Sequence, residues 1–428
     1  SGPLLRDSNP DGRACRMPPR DGVTASSRAR AGAAGKGGAG AAPTERPQPS
    51  TGLKPVPPPM EDPGFDIGDV RKAVPKHCFE RSALKSFAYT AFDLVRIAIM
   101  GWLATHIAGT AESIHWAAPY ALWPLYWFCQ GTVMTGIWVI AHECGHQAFS
   151  ASKTINDSVG LVLHSALLVP YHSWRITHGH HHKFTASMED DEVFLPATRA
   201  DFAAEMIEET PIASFVGIFN MLFFGWPLYL TMNIAGPRKY ANVTPKSHFH
   251  PESKLFSARD YWDVVVSDVV FFAALGVLGW AIYTWGFATV ACYYVVPYLI
   301  VNYHLVLITY LQHTATYIPH YRGKRFTFLK GALSTVDRSF GWLYDTTLHH
   351  ISSTHVAHHM FSQMPHYHAH EATEAIKKVL GPYYLKDDTP IWSALWNSWR
   401  NCRFVEDEGD KIYYKGPQQF VEDKPKAS

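Results

Sequence analysis

The chain has 428 residues, a formal net charge of +1 and a mean hydropathy of −0.10, with 47% hydrophobic and 14% aromatic residues. The near-neutral charge excludes a bulk electrostatic attraction to nucleic acid, and the length accommodates one large domain or two ordinary ones. Six cysteines (Cys15, Cys78, Cys129, Cys144, Cys292, Cys402) show no CxxC spacing and two lie in apolar runs, which excludes a disulfide framework and predicts reduced thiols.

The average hydropathy hides a membrane-like middle between polar ends. Residues 1 to about 60 are rich in Ala, Gly, Pro, Ser and Arg and nearly devoid of large apolar side chains, so they predict a disordered low-complexity tail. Four stretches, roughly 87–108, 117–140, 265–285 and 288–311, reach the length of about 20 residues that one bilayer crossing needs. Two further stretches, 155–171 and 213–235, are respectively short and interrupted by Asn220, Gly225 and Pro227.

Basic residues orient these segments, because cytosolic loops near spans are enriched in Lys and Arg. Arg71, Lys72, Lys76, Arg81 and Lys85 precede the first span, whereas the connections 109–116 and 286–287 carry neither residue. Those two connections are expected on the lumenal side, and the basic flanks around 153–199, 238–259 and 322–330 on the cytosolic side. If 213–235 crossed, the last histidine cluster would lie across the membrane from the first two. The expectation is therefore an all-α integral membrane protein with four transmembrane helices, interfacial helices at 155–171 and 213–235, and a cytosolic cap. Its main domain is expected over 61–400, followed by a polar C-terminal tail over 401–428. Asp93 and Arg96, three apart in the first span, are expected to pair.

Three histidine clusters carry the chemistry: His142-Glu-Cys-Gly-His146, His178-Gly-His-His181-His182 and His355-Val-Ala-His358-His359. Residues three and four apart share a helix face, so each cluster is expected to aim its histidines one way and eight imidazoles to converge. Neutral imidazole suits iron, copper, nickel or zinc. Eight ligands exceed what one tetrahedral zinc needs, which argues for two metals.

Taken alone, His142-Glu143-x-x-His146 matches the zinc-protease HExxH, with Glu143 as general base. Two further HxxHH clusters on the same expected side weigh against that reading. They also weigh against a metal transporter, whose ligands belong deep within spans. His313, ending the fourth span, is expected as a ninth ligand. His349, His366, His368 and His370 are expected as flanking or surface groups, and His180 lies off the helical pattern. Glu143, Asp190, Asp191, Glu192 and Asp337 are candidates to orient imidazoles through the second ring nitrogen.

The stretches 138–150 (Trp-Val-Ile-Ala-His-Glu-Cys-Gly-His-Gln-Ala-Phe-Ser), 167–175, 191–196 and 354–369 closely resemble the membrane fatty acid desaturases, nearest to the microsomal oleate delta-12 type of fungi and plants. The resemblance spans roughly 60–400. It implies an O2-dependent non-haem diiron oxidoreductase whose eight box histidines bind two irons, and His313 matches the family's additional ligand. It further implies an endoplasmic reticulum membrane enzyme with a cytosolic active site, acting on oleoyl lipid as phospholipid or acyl-CoA. An omega-3 desaturase, hydroxylase or epoxygenase on the same scaffold is the near alternative. The sequence has no His-Pro-Gly-Gly motif of a fused haem domain, so cytochrome b5 and its NADH-dependent reductase are the expected electron donors. Two departures stand out: His-Gly-His-His-His lacks the usual basic residues between ligands, and Ser352-Ser353 stands where relatives often carry an acidic residue.

Overall fold

A computed structural model describes residues 57–205, 210–234 and 236–422. The expected disordered tail lies outside the described residues as far as 56. Ten helices position the site: α1 (Ala83–Ala104), α2 (Ala118–Gly145), α3 (Lys153–Ala166), α4 (Tyr171–Phe184), α5 (Pro211–Met232), α6 (Tyr261–Trp285), α7 (Phe287–His313, with a π turn over Ala291–Val295), α8 (His355–Met360), α9 (His366–Leu380) and α10 (Ile391–Asn401).

Among the described residues, four helices are long and apolar enough to cross a membrane: α1, α5, α6 with its preceding turn, and α7. The sequence reading had α2 in place of α5, and packing explains the difference. Helix α2 is the longest, at 28 residues, but it runs through the middle of the bundle between α1, α3 and α7, where Gln130 and Thr135 are buried and lower its apolarity. It forms an antiparallel hairpin with α1: the guanidinium of Arg81, just ahead of α1, donates to the carbonyl of Gln147, just beyond α2, at 2.9 Å. Two helices so paired cross together. At Gly131 an added Cβ would lie 2.4 Å from Ile300 of α7, a close approach that only glycine permits.

Helix α5 owes its apolarity to two stripes. Ser214, Ile218, Leu222, Trp226 and Leu230 recur at i+4 and are buried, while Ile212, Phe215, Phe219, Phe224 and Leu228 form an exposed apolar stripe. Both ends of the helix meet the side that bears the histidines. Gly217 packs under Trp399 of α10, whose Cζ2 would be 2.5 Å from an added Cβ, and Ser398 of α10 donates to Thr314 at the end of α7. At the other end the carbonyl of Leu230 accepts from His248 N, whose ring meets the Thr177 hydroxyl of α4 at 3.1 Å. These contacts tie the helix to the elements that carry the second histidine cluster and His313. Helix α3, 14 residues long, spans only about 21 Å and does not cross. The protein is thus a multi-pass membrane protein.

Of the segment 401–428, expected as a polar tail, residues 401–422 instead complete the cap. Strand β1 (Pro319–Tyr321) pairs antiparallel with β2 (Lys411–Tyr413), and Phe404, Val405, Ile412 and Tyr414 are buried. Alternating apolar positions in an otherwise charged stretch are sufficient for a short, one-sided strand.

Candidate metal centre

Box one occupies the last turn of α2, box two the C-terminal half of α4 and box three the whole of α8. The structure brings all nine expected histidines together but divides them into two groups. His142, His146, His178, His182 and His358 each offer a ring nitrogen, all within 4.8 Å of one another, and so do His181, His313 and His359. His355 joins the second group, its Nε2 3.0 Å from His313 Nε2. Boxes two and three are therefore not aimed one way. One residue turns a helix by about 100°, so adjacent His181 and His182 serve different groups, whereas the i, i+4 pairs 142/146, 178/182 and 355/359 stay together.

The groups fit a cation. His142 and His146 face each other through Nε2 at 3.1 Å, as do His178 and His182, and His181 faces His313 at 3.4 Å. A neutral imidazole has one N–H and one lone pair, so clustered nitrogens cannot all pair among themselves. Accordingly His358 Nε2 and His359 Nε2 are buried without a hydrogen-bond partner. Burial, reinforced by the neighbouring imidazoles, lowers His146, His178, His182, His355, His358 and His359 well below the usual 6.5. They remain in the neutral, metal-ligating form.

The candidate orienting carboxylates separate sharply. Asp191 accepts from His181 Nδ1 at 2.7 Å and is itself fixed by the backbone N–H groups of Ala186 and Glu192, which leaves His181 Nε2 for the centre. Asp337 accepts from Val356 N and Tyr384 Oη and so anchors the box-three helix rather than a ring. Glu192 pairs with Lys239 and Tyr240, and Asp190 is exposed. Glu143 accepts from the backbone N–H of His366 at 2.9 Å and stands 3.6 Å from His142 Nδ1. His349 pairs with Asp93 at 2.7 Å, Arg96 pairs with the same carboxylate, and His180, His366, His368 and His370 stay outside both groups.

One partner was not foreseen. The Thr185 hydroxyl donates to the carbonyl of His181 at 2.6 Å and accepts from His359 Nδ1 at 3.2 Å. A threonine bonded to the carbonyl four residues back is a local helix-end habit, and that is the only signal the sequence offers.

An apolar cavity of about 420 Å3 ends on the histidines. Its lining runs from His142, His178, His181, His313 and His355 past Trp138, Trp226 and Thr309 to Asn220 and Leu228 of α5, the last two exposed. Such a cavity can take an apolar chain from the membrane side and hold its middle against both groups.

Fold and site together define a membrane protein with polyhistidine groups that could hold metal ions beside an apolar cavity. The chain belongs to the fatty acid desaturase family, which matches residues 117–390, and is thereby an oxidoreductase acting on lipid. It is 48% identical over 370 residues to a Delta(12) fatty acid desaturase of Mortierella alpina, covering 82% of this chain and 91% of the relative. It is 46% identical over 355 residues to an endoplasmic reticulum omega-6 fatty acid desaturase of Glycine max (82% and 89%) and 44% identical over 357 residues to a Delta(12)-fatty-acid desaturase of Arabidopsis thaliana (82% and 91%).

Proposed function

We propose that this protein is an acyl-lipid delta-12 desaturase that converts oleoyl to linoleoyl chains at the cytosolic face of the endoplasmic reticulum. The observation that carries the reading is the apolar cavity that ends on two polyhistidine groups. In this reading His142, His146, His178, His182 and His358 hold one iron and His181, His313, His355 and His359 the other. Two irons supply the O2-derived oxidant that removal of hydrogen from an unactivated methylene requires, which redox-inactive zinc does not. Two hydrogens from the chain, two electrons from a donor and two protons reduce O2 to two waters. Trp138, Trp226 and Thr309 align the chain in the cavity and exclude water, and Asp191 holds the His181 N–H. The electrons come from a separate cytochrome b5 and its NADH-dependent reductase. The names of the fungal and plant relatives support the delta-12 position.

Expression in a host that makes oleate but no linoleate should yield linoleoyl lipid. Isolated membranes should need O2, NADH, cytochrome b5 and its reductase together, and should lose activity on iron chelation. An omega-3 or hydroxylated product would move the reading to that chemistry on the same scaffold. A hydrolysed product made without O2 would overturn it.

A further inference from the structure

Apart from the nine histidines, one other group of metal-ligating side chains converges among the described residues. His77, Cys78, His368 and Glu371 each offer one donor atom, all within 4.8 Å of one another. They come from two elements distant in sequence. His77 and Cys78 lie in the short 3-10 turn Lys76–Phe79 ahead of α1, and His368 and Glu371 are three apart on α9, on one face.

The geometry suits a single tetrahedral ion. His77 Nε2 is 2.9 Å from Glu371 Oε2 and 3.8 Å from Cys78 Sγ, and the rings of His77 and His368 meet edge-on with centroids 5.5 Å apart. Zinc bonds of about 2.0–2.1 Å to nitrogen or oxygen and about 2.3 Å to sulfur set donors about 3.3–3.6 Å apart, a spacing the two observed separations bracket. A surface ion pair accounts for His77 with Glu371, whose side chains are each 52% exposed. It leaves unexplained why a fully buried thiol and a second imidazole share the same point.

We propose that His77, Cys78, His368 and Glu371 form a second metal site, of the structural zinc class, separate from the histidine centre. Two imidazoles, one thiolate and one carboxylate are a borderline-soft donor set that favours zinc over magnesium or calcium. The thiolate and carboxylate together balance the charge of a divalent ion. Binding transfers the Cys78 thiol proton to solvent. The site staples the segment ahead of the first crossing to the helix that follows box three. Next to it, Ser82 N donates to Tyr367 Oη at 2.9 Å, and the first turn of α9 leans on Glu143 through the His366 N–H. The metal would thus fix the seating of α9 without touching the nine histidines. The inference does not depend on the desaturase reading.

Zinc can also enter an all-histidine centre, so total zinc does not decide the question. Cobalt(II) does, because a thiolate-to-cobalt charge-transfer absorption requires a sulfur ligand and the nine histidines provide none. Full-length protein in lipid nanodiscs, titrated with cobalt(II), should develop that absorption. Cys78→Ser should abolish it, and His368→Gln should weaken cobalt binding at this site at least tenfold, both with iron content unchanged from wild type. Cys144→Ser, which removes the thiol inside box one, should leave it intact. Absence of the absorption in the cobalt-saturated wild type, or its survival in Cys78→Ser, would overturn the proposal. If Cys78→Ser is not recovered in folded form, Glu371→Gln and His368→Gln carry the test from the helix side, and unchanged cobalt affinity in both would overturn it equally.

Discussion

The two histidine groups are oriented by different means. In the group of five, indoles do much of the work: Trp174 stacks on His178 with centroids 4.5 Å apart at 19°, and Trp138 lies on His142 at 5.7 Å and 27°, while the outward nitrogens of His142 and His182 have no partner. In the group of four, hydrogen bonds do it, from His181 to Asp191 and from His359 to Thr185. Stacking fixes the plane of a ring but leaves its protonation pattern open. A hydrogen bond to Nδ1 fixes plane and tautomer together and raises ligand basicity. The second group is therefore the one whose electronics the protein sets.

The largest effects treat both groups alike. His182→Ala and His359→Ala each remove one ligand from a different group and should both abolish linoleoyl product, with membrane insertion at wild-type level on fractionation. Wild-type yield from either variant would remove that histidine from its group. A topology test breaks the comparison in another way. Acceptor sequences for N-glycosylation placed at 112 should be modified, and those at 240 and 340 should not. Modification at 340 alone would put box three across the membrane from boxes one and two and would split both groups.

Smaller effects should separate the groups. Asp191→Asn keeps an acceptor for His181 but loses the charge, and should cost about 10–100-fold in activity and iron affinity. Glu192→Gln, engaged with Lys239 and Tyr240, should leave iron affinity at wild type. Equal losses from the two would mean that the loop matters as a whole and that the single contact to His181 does not. Thr185→Val should cost up to about tenfold, and Thr185→Ser should restore most of it.

What the sequence made legible follows from the range of the interactions. The helical spacing within all three boxes and the match of His313 in its Leu-Gln-His-Thr setting to the desaturases are local, and they identified every histidine of both groups. The division of His181 from His182 needed only helical geometry, yet the run of adjacent histidines read as one face. Helix α5 looked too interrupted to cross, yet it is long and apolar enough to do so, and its contacts with Trp399 and His248 are ones no local pattern reveals. The strand Lys411–Tyr413 pairs with Pro319–Tyr321, far back in the chain, so Phe404, Val405, Ile412 and Tyr414 passed for scattered apolar residues in a polar tail.

That C-terminal segment bears on the second group through the loop that carries Asp191. Val405 N donates to the carbonyl of Ala197, Tyr414 Oη donates to the carbonyl of Phe194, and Arg199 grips Glu406 with two bonds of 2.8 Å. Arg199, bonding to the carboxylate, and Lys415 beside it hold Glu406 down to about 2. A carboxyl depressed on folding contributes stability that is fully present above its unfolded value of about 4.3 and is lost as pH falls through the folded value. The clamp should therefore weaken progressively between about pH 4.5 and 2. Because the pair is partly exposed, the effect is small and falls with added salt. Hydrogen exchange of residues 404–415 at stepped pH should rise a few-fold across that window in the wild type. In Glu406→Gln it should already be high at neutral pH and change less. Exchange rising equally in both would assign the acid response to other carboxyls and remove the clamp from the support of Asp191.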